Sequence, residues 1–281
     1  MSAPTPPGPT PRPARLAEPA DIHDVLRNID KIIDWAISSE SHIGYFAVLY
    51  KRTTLAIRDA VNDKVFDDGP RMEKLDIAFA RRYFTALNAY FYPDKSPGPT
   101  LPWEIAFVGD HDDQAIILQH MMAGLNAHIT FDLGLAVFTV APHSMDGLEA
   151  DYDRVNTILC KQLPDVLKVL DQLSPEIRWT RWLIPGEIRV LERSLTKLRR
   201  GAWLFAFYLA THPPSVTQKT VHQQAWTAAL GSWYLQPPTR WNPLPALFRR
   251  IAKHESRDVA SNLRALEDVS NTPHKPPKGY R

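Results

Sequence analysis

The chain has 281 residues, of which 44% are hydrophobic and 23% charged, enough to bury one large core and ordinary for a soluble globule. Its 33 basic and 31 acidic residues leave a formal charge of +2, which supplies no field for nucleic acid or an anionic membrane surface. The single cysteine, Cys160, excludes a disulfide framework within the chain, and its place on a helical apolar pattern assigns it to the core rather than to nucleophilic chemistry.

Residues 1–19 are crowded with proline and lack the apolar run of a signal peptide, so a disordered arm is expected there. One domain over 20–270 and a polar tail over 271–281 should follow. Asp21 stands at the N-cap position of a helix running to Ser38, with Ile22, Val25, Leu26, Ile29 and Ile33 at helical spacing. A second helix is expected from Ile43 to Val65, ending at the turn Phe66-Asp67-Asp68-Gly69-Pro70. A third, Arg71 to Tyr92, carries Met72, Leu75, Phe79, Tyr83 and Leu87 on one stripe, with Glu73 and Asp76 beside it. A proline-rich break, Pro93 to Pro102, leads through Trp103 to Val108 into a central helix that is apolar on every side and ends near Pro142. Helices are then expected over Leu148 to Leu173, Pro185 to Leu209, Ser215 to Leu235 and Leu247 to Val269. No run alternates long enough for a strand, so the fold class is all-α: a single-domain bundle of about eight helices around a central buried one. No segment was expected to reach the ~20 apolar residues of a membrane span, the densest being Ala202 to Ala210. No membrane insertion and a cytoplasmic location follow as expectations, and nothing fixes an oligomeric state.

The central helix forces polar groups into an apolar run. His128 and Asp132 are four residues apart and share a helix face, able to bond each other or to hold one ion. Glu73-x-x-Asp76 on the third helix would bring up to three carboxylates and an imidazole together if the two helices are neighbours. Such a set suits zinc, iron or manganese, so Glu73, Asp76, His128 and Asp132 are expected as metal ligands or as acid and base groups. His120, Asn126, Asp153 and Asn156 are expected as a supporting layer. His120 lies eight residues before His128, about 12 Å along the axis, too far to share its ion. The competing reading is a buried His and Asp pair that ties helices together with no ion.

The run Phe66 to Asp76 with Phe79-Ala80, then Gln119-His120, Gly124-Leu125-Asn126-Ala127-His128-Ile129 and Asp132-Leu133, resembles a mainly bacterial family catalogued only as a domain of unknown function, number 5995 of its series. The resemblance continues through Asp151, Asp153 and Asn156, and more faintly through Arg200 to Trp203 and Glu255 to Asp258. Asn-Ala-His-Ile-x-x-Asp-Leu is its most specific part. It implies one domain and a shared site, and supplies no activity.

Other features have plainer explanations. Asp67-Asp68 and Asp110-His111-Asp112-Asp113 look like the aspartate clusters with which helical terpene synthases hold magnesium, yet capping explains them better. Arg189, Arg193, Lys197, Arg199 and Arg200, interleaved with Glu187 and Glu192, read as a solvated helix face rather than a phosphate site. Tryptophans 179, 182, 203, 226, 233 and 241 read as core and loop anchors, or as the wall of an apolar pocket. Phosphate-binding glycine loops and the serine-hydrolase elbow are missing. Two functions are therefore expected: a metal-dependent enzyme, first of all a hydrolase, acting on a small, partly apolar substrate; or a metal-free protein that binds an apolar ligand or encloses a reactive intermediate, as a cyclase does. A helical interaction module is the third.

Overall fold

The structure is a computed structural model that describes residues 11–95, 97–112, 114–177, 187–238 and 243–274. Among these residues there are eleven helices and no strand. They are α1 (Ile22–Ser39), α2 (Gly44–Asn62), α3 (Gly69–Phe91), α4 (Leu101–Val108), α5 (Ile117–Val140), α6 (Glu149–Cys160), α7 (Leu163–Leu173), α8 (Glu187–Thr211), α9 (Val216–Leu235), α10 (Leu244–Ala252) and α11 (Val259–Ser270).

Side-chain caps start three of them. Asp21 accepts from the backbone N–H of Asp24 at α1, Asp68 from that of Arg71 at α3, and Asp258 from that of Ser261 at α11. Pro70 lies in the first turn of α3, where its missing N–H costs nothing. Capping thus accounts for Asp68, while Asp67 pairs with Arg154 at 2.7 Å. Asp110, buried, accepts from Ser41 Oγ at 2.9 Å and from the N–H of His42 at 2.6 Å, serving the start of α2 in the same way. Asp113 lies outside the described residues.

The helix count exceeds eight because two expected helices are broken and the lead-in to the central helix, Leu101–Val108, is itself a helix, α4. Between Leu148 and Leu173 the chain turns at Lys161 and Gln162, and Pro164 begins α7 in its first turn. Between Leu247 and Val269 it turns over 253–258, where Asp258 caps a fresh start. The proline-rich arm is also different from expectation over 11–19. Leu16 is buried and exchanges two 2.9 Å hydrogen bonds with Asn88, and Tyr92 donates to the Pro13 carbonyl at 2.6 Å. Its prolines donate no backbone N–H, so the strap docks mainly through its carbonyl groups, with the N–H of Leu16 as a backbone donor.

α5 runs through the middle and touches α2, α3, α4, α8 and α9. It is 24 residues long and apolar enough, by length and composition, to cross a membrane, a property not expected from the sequence; 78% of its most apolar window is buried inside the fold. Close approach requires glycine at two positions. A Cβ on Gly124 would lie 2.6 Å from the Cβ of Phe46 on α2, and one on Gly134 would lie 2.9 Å from the Ala202 carbonyl oxygen on α8. Two large apolar clusters and a small one at Ile116, Ile177, Ile251 and Ala252 result. The first large one gathers α1, α2, α4, α7 and α11 with the second half of α3 and the first half of α5; the other gathers the second half of α5 with α6, α8 and the ends of α2 and α3 that face it.

Candidate functional site

Residues Asn126–Asp132 of α5 form a π-helical segment rather than α-helix, and the N–H of Leu133 reaches back to the carbonyl of His128. A π turn frees or redirects backbone groups, and α9 answers one of them while accepting a side-chain bond from the same segment. Gln223 donates to the Thr130 carbonyl at 2.9 Å, and Asn126 donates to the Thr227 carbonyl at 2.8 Å. Asn126, expected in the supporting layer, thus spends its side-chain amide on the backbone of α9.

His128 is 2% exposed and enclosed by aromatic rings. Its imidazole stacks on Phe79 with centroids 3.4 Å apart, and Tyr50 and Phe46 meet it edge-on at 4.7 and 5.4 Å. Neither ring nitrogen has a hydrogen-bond partner. Burial outweighs the neighbouring Asp132 carboxylate and pushes the imidazole below its ordinary pKa, so it is held neutral. Asp132, 1% exposed, is committed elsewhere. Its Oδ1 accepts from Arg82 Nε at 2.7 Å and its Oδ2 from Trp103 Nε1 at 2.6 Å, whereas His128 Nδ1 stands 3.9 Å away, beyond hydrogen-bond reach. The two residues also face different spaces. His128 lines a large cavity of about 220 Å³, and Asp132 lines a smaller hollow of about 140 Å³ beside Arg82 and Trp103.

The large cavity lies along the seam of the two apolar clusters, between α2, α3, α5, α6, α7 and α8. Its wall is mostly Leu, Ile, Val, Met and Phe, including Leu49, Met72, Leu125, Leu159 and Leu195. By volume it is of a size for on the order of 15 water positions, ample for a small organic molecule. Polar groups interrupt the wall at few places. Tyr50 Oη, Asp76 Oδ2, Asn126 Oδ1 and both nitrogens of His128 belong to lining residues and are buried with no hydrogen-bond partner. Each such orphan costs about 1–3 kcal/mol, and the four residues that carry them, on α2, α3 and α5, all border this one cavity. Asp76 is pushed up to about 7, first by burial and then by the nearby Glu73 carboxylate.

The four residues expected as one ligand set are therefore divided. Asp76 and His128 line the same cavity. Glu73 is half-buried and does not line it, acting on Asp76 through its charge, and Asp132 has both oxygens occupied by Arg82 and Trp103. Among the described residues, no group of three or more His, Cys, Asp or Glu side chains is placed to hold one metal ion. The expected supporting layer is also dispersed. His120 stacks on His42 with centroids 4.4 Å apart, in a separate cluster, and burial pushes it down to about 3. Asp153 is exposed and accepts from Asn156 at 3.3 Å; Asn156 in turn accepts from Arg199 Nε at 2.5 Å rather than closing a network with Asp132. Cys160 is half-buried and burial raises its thiol pKa, which suits a packing role.

Several residues that build the site carried no polar signal in the sequence. Phe46, Tyr50 and Phe79 sat among the apolar stripes, and Trp103 lay in a short lead-in to α5. Arg199 belonged to a basic run, yet it is 4% exposed and turned onto the cavity while Arg189, Arg193, Lys197 and Arg200 face solvent. Among the described residues no tryptophan lines the large cavity. Trp203 packs on Tyr152 at 4.9 Å away from the cavity lining, and Trp226 and Trp233 are 63% and 41% exposed; Trp179, Trp182 and Trp241 lie outside the described residues. No curated protein and no solved structure matches the chain. The family of unknown function DUF5995 matches it over residues 22–244, from the first residue of α1 to the first of α10, and the chain belongs to that family.

Proposed function

We propose that the protein binds a small, largely apolar molecule in the cavity between α2, α3, α5, α6, α7 and α8, with a polar group of that molecule held at Tyr50, Asp76 and His128. The observation that carries this reading is the set of orphaned buried polar atoms on an otherwise apolar wall. Neutral His128 offers one donor and one acceptor, and the Tyr50 hydroxyl offers both. Asp76, poised about 7, gives or takes a proton near neutrality, so the same wall serves for binding and for general acid or base catalysis. N-phenyl-1-naphthylamine, a neutral apolar fluorophore, tests the binding. We expect saturable fluorescence enhancement with one site per chain, lost when Leu159→Trp or Leu125→Trp fills the cavity. Enhancement that both variants leave unchanged would contradict it.

Metal-dependent hydrolysis is the second reading, favoured by Asp76 and His128 presenting free polar atoms to one space. An ion held there would acidify a bound water for attack on the substrate. Calorimetric titration with Zn2+ or Mn2+ distinguishes it: one equivalent bound by the wild type and lost in both Asp76→Asn and His128→Phe supports hydrolysis, and heats unchanged by either variant count against it.

A further inference from the structure

Arg199 is a buried cation without an acid. Its Nε donates to Asn156, a terminal nitrogen donates to the Tyr152 carbonyl at 3.3 Å, and the Tyr152 ring lies 4.4 Å from the guanidinium carbon. Among the described residues no carboxylate forms an ion pair with it, and Asp153 acts only from a distance. Among the described residues its second terminal nitrogen, Nη1, has no hydrogen-bond partner. Two neutral acceptors and a π face return only part of the hydration that a guanidinium surrenders on burial. Among the described residues Asp76 is the one acid on the lining, and its ionisation is suppressed until about pH 7, whereas a guanidinium stays charged throughout. The lining is therefore net positive in neutral and mildly acidic solution.

Resting on the reading that the cavity takes an apolar molecule, we propose that the occupant is an anionic amphiphile whose carboxylate is held by Arg199 while its chain fills the apolar space. One guanidinium with one free edge suits a monoanion; among the described residues no second Lys or Arg stands on the lining to share a phosphate dianion. His128 and Tyr50 then meet a hydroxyl or carbonyl further along the chain.

Calorimetric titration of the full chain at about pH 6.5 with dodecanoate, dodecan-1-ol, dodecylammonium and dodecyl phosphate tests this. We expect dodecanoate to bind at least about tenfold more tightly than the alcohol. Arg199→Met should bring the acid down to the alcohol's affinity without moving the alcohol, and Arg199→Lys should keep part of the difference. Equal affinity for acid and alcohol, tighter binding of the ammonium, or a preference for the phosphate overturns the carboxylate assignment while leaving the cavity reading standing. No binding by any of the four overturns both. Should Arg199→Met fail to fold, the ranking in the wild type decides alone.

Discussion

The imidazole of His128 lies flat on the ring of Phe79, centroids 3.4 Å apart and planes 6° from parallel. A histidine that served only to tie helices together would spend its nitrogens on hydrogen bonds, and this one bonds through neither. Replacing an unsatisfied buried polar group by an apolar one of the same shape is close to neutral for stability. His128→Phe should therefore fold within about 1 kcal/mol of the wild type in urea denaturation while losing affinity for ligands that carry a hydroxyl or carbonyl. A loss of stability beyond about 3 kcal/mol would instead make His128 a structural tie.

Asp132 is the structural member of the motif. Its carboxylate, 1% exposed, is neutralised by Arg82 and bonded by Trp103. Removing one partner of a buried pair leaves an uncompensated charge, so Arg82→Gln should destabilise by about 3 kcal/mol, reduced somewhat because Arg82 itself is partly exposed. Asp132→Asn, which keeps an acceptor for Trp103, should cost less. The reverse order of the two variants in thermal denaturation would show that Asp132 is held by something other than Arg82.

Two buried groups titrate against each other. Asp76 has an ordinary value of 3.8 raised to about 7, so between those values the folded chain holds a proton that the unfolded chain has released. Stability is then lost as pH rises through that window, by on the order of 4 kcal/mol once pH exceeds 7. His120 runs the other way: its ordinary value of 6.5 is lowered to about 3, so the unfolded chain takes the proton and stability is lost as pH falls from 6.5 toward 3. Across mildly acidic pH the two slopes offset. Asp76→Asn should gain stability near pH 8 and nothing near pH 4, and His120→Phe should gain near pH 4.5 and nothing near pH 8. Urea midpoints whose shifts are the same at both pH values would contradict the assignment.

Gly134 fixes how closely α8 approaches α5. The nearest atom to an added Cβ beyond the Phe205 ring is the backbone oxygen of Ala202, which cannot swing aside. Gly134→Ala should cost about 1–3 kcal/mol and, by pushing α8 outward, displace Arg199 and weaken carboxylate binding along with stability. Gly201→Ala, on α8 with open space around it, is the control expected to leave carboxylate binding unchanged and to raise stability by up to about 1 kcal/mol through helix propensity.

The all-α class, most helix boundaries and the burial of His128, Asp132 and Asp76 were legible because apolar residues recur at helical spacing around them. The π segment was not. Its residues are apolar on every side, so the pattern from Ile117 to Val140 reads the same whether one residue is looped out or not. The partners of Asp132 were hidden by distance, since Trp103 is 29 and Arg82 50 residues away along the chain. Four-residue spacing put His128 and Asp132 on one face, and tertiary partners then drew them to two different cavities. Arg199 looked like the rest of its basic run because charge alone does not say which way a residue on a helix turns; its position between Tyr152 and Asn156 does.

The central claim is that His128 meets a ligand in the large cavity. Imidazole 15N chemical shifts measure this directly, since the ring nitrogens of His128 are free while His120 stacks on His42 in another cluster. Adding saturating dodecan-1-ol should shift the His128 resonances, leave those of His42 and His120 in place, and produce no change in the Leu159→Trp variant. Resonances of His128 that stay fixed while the alcohol binds would contradict the account.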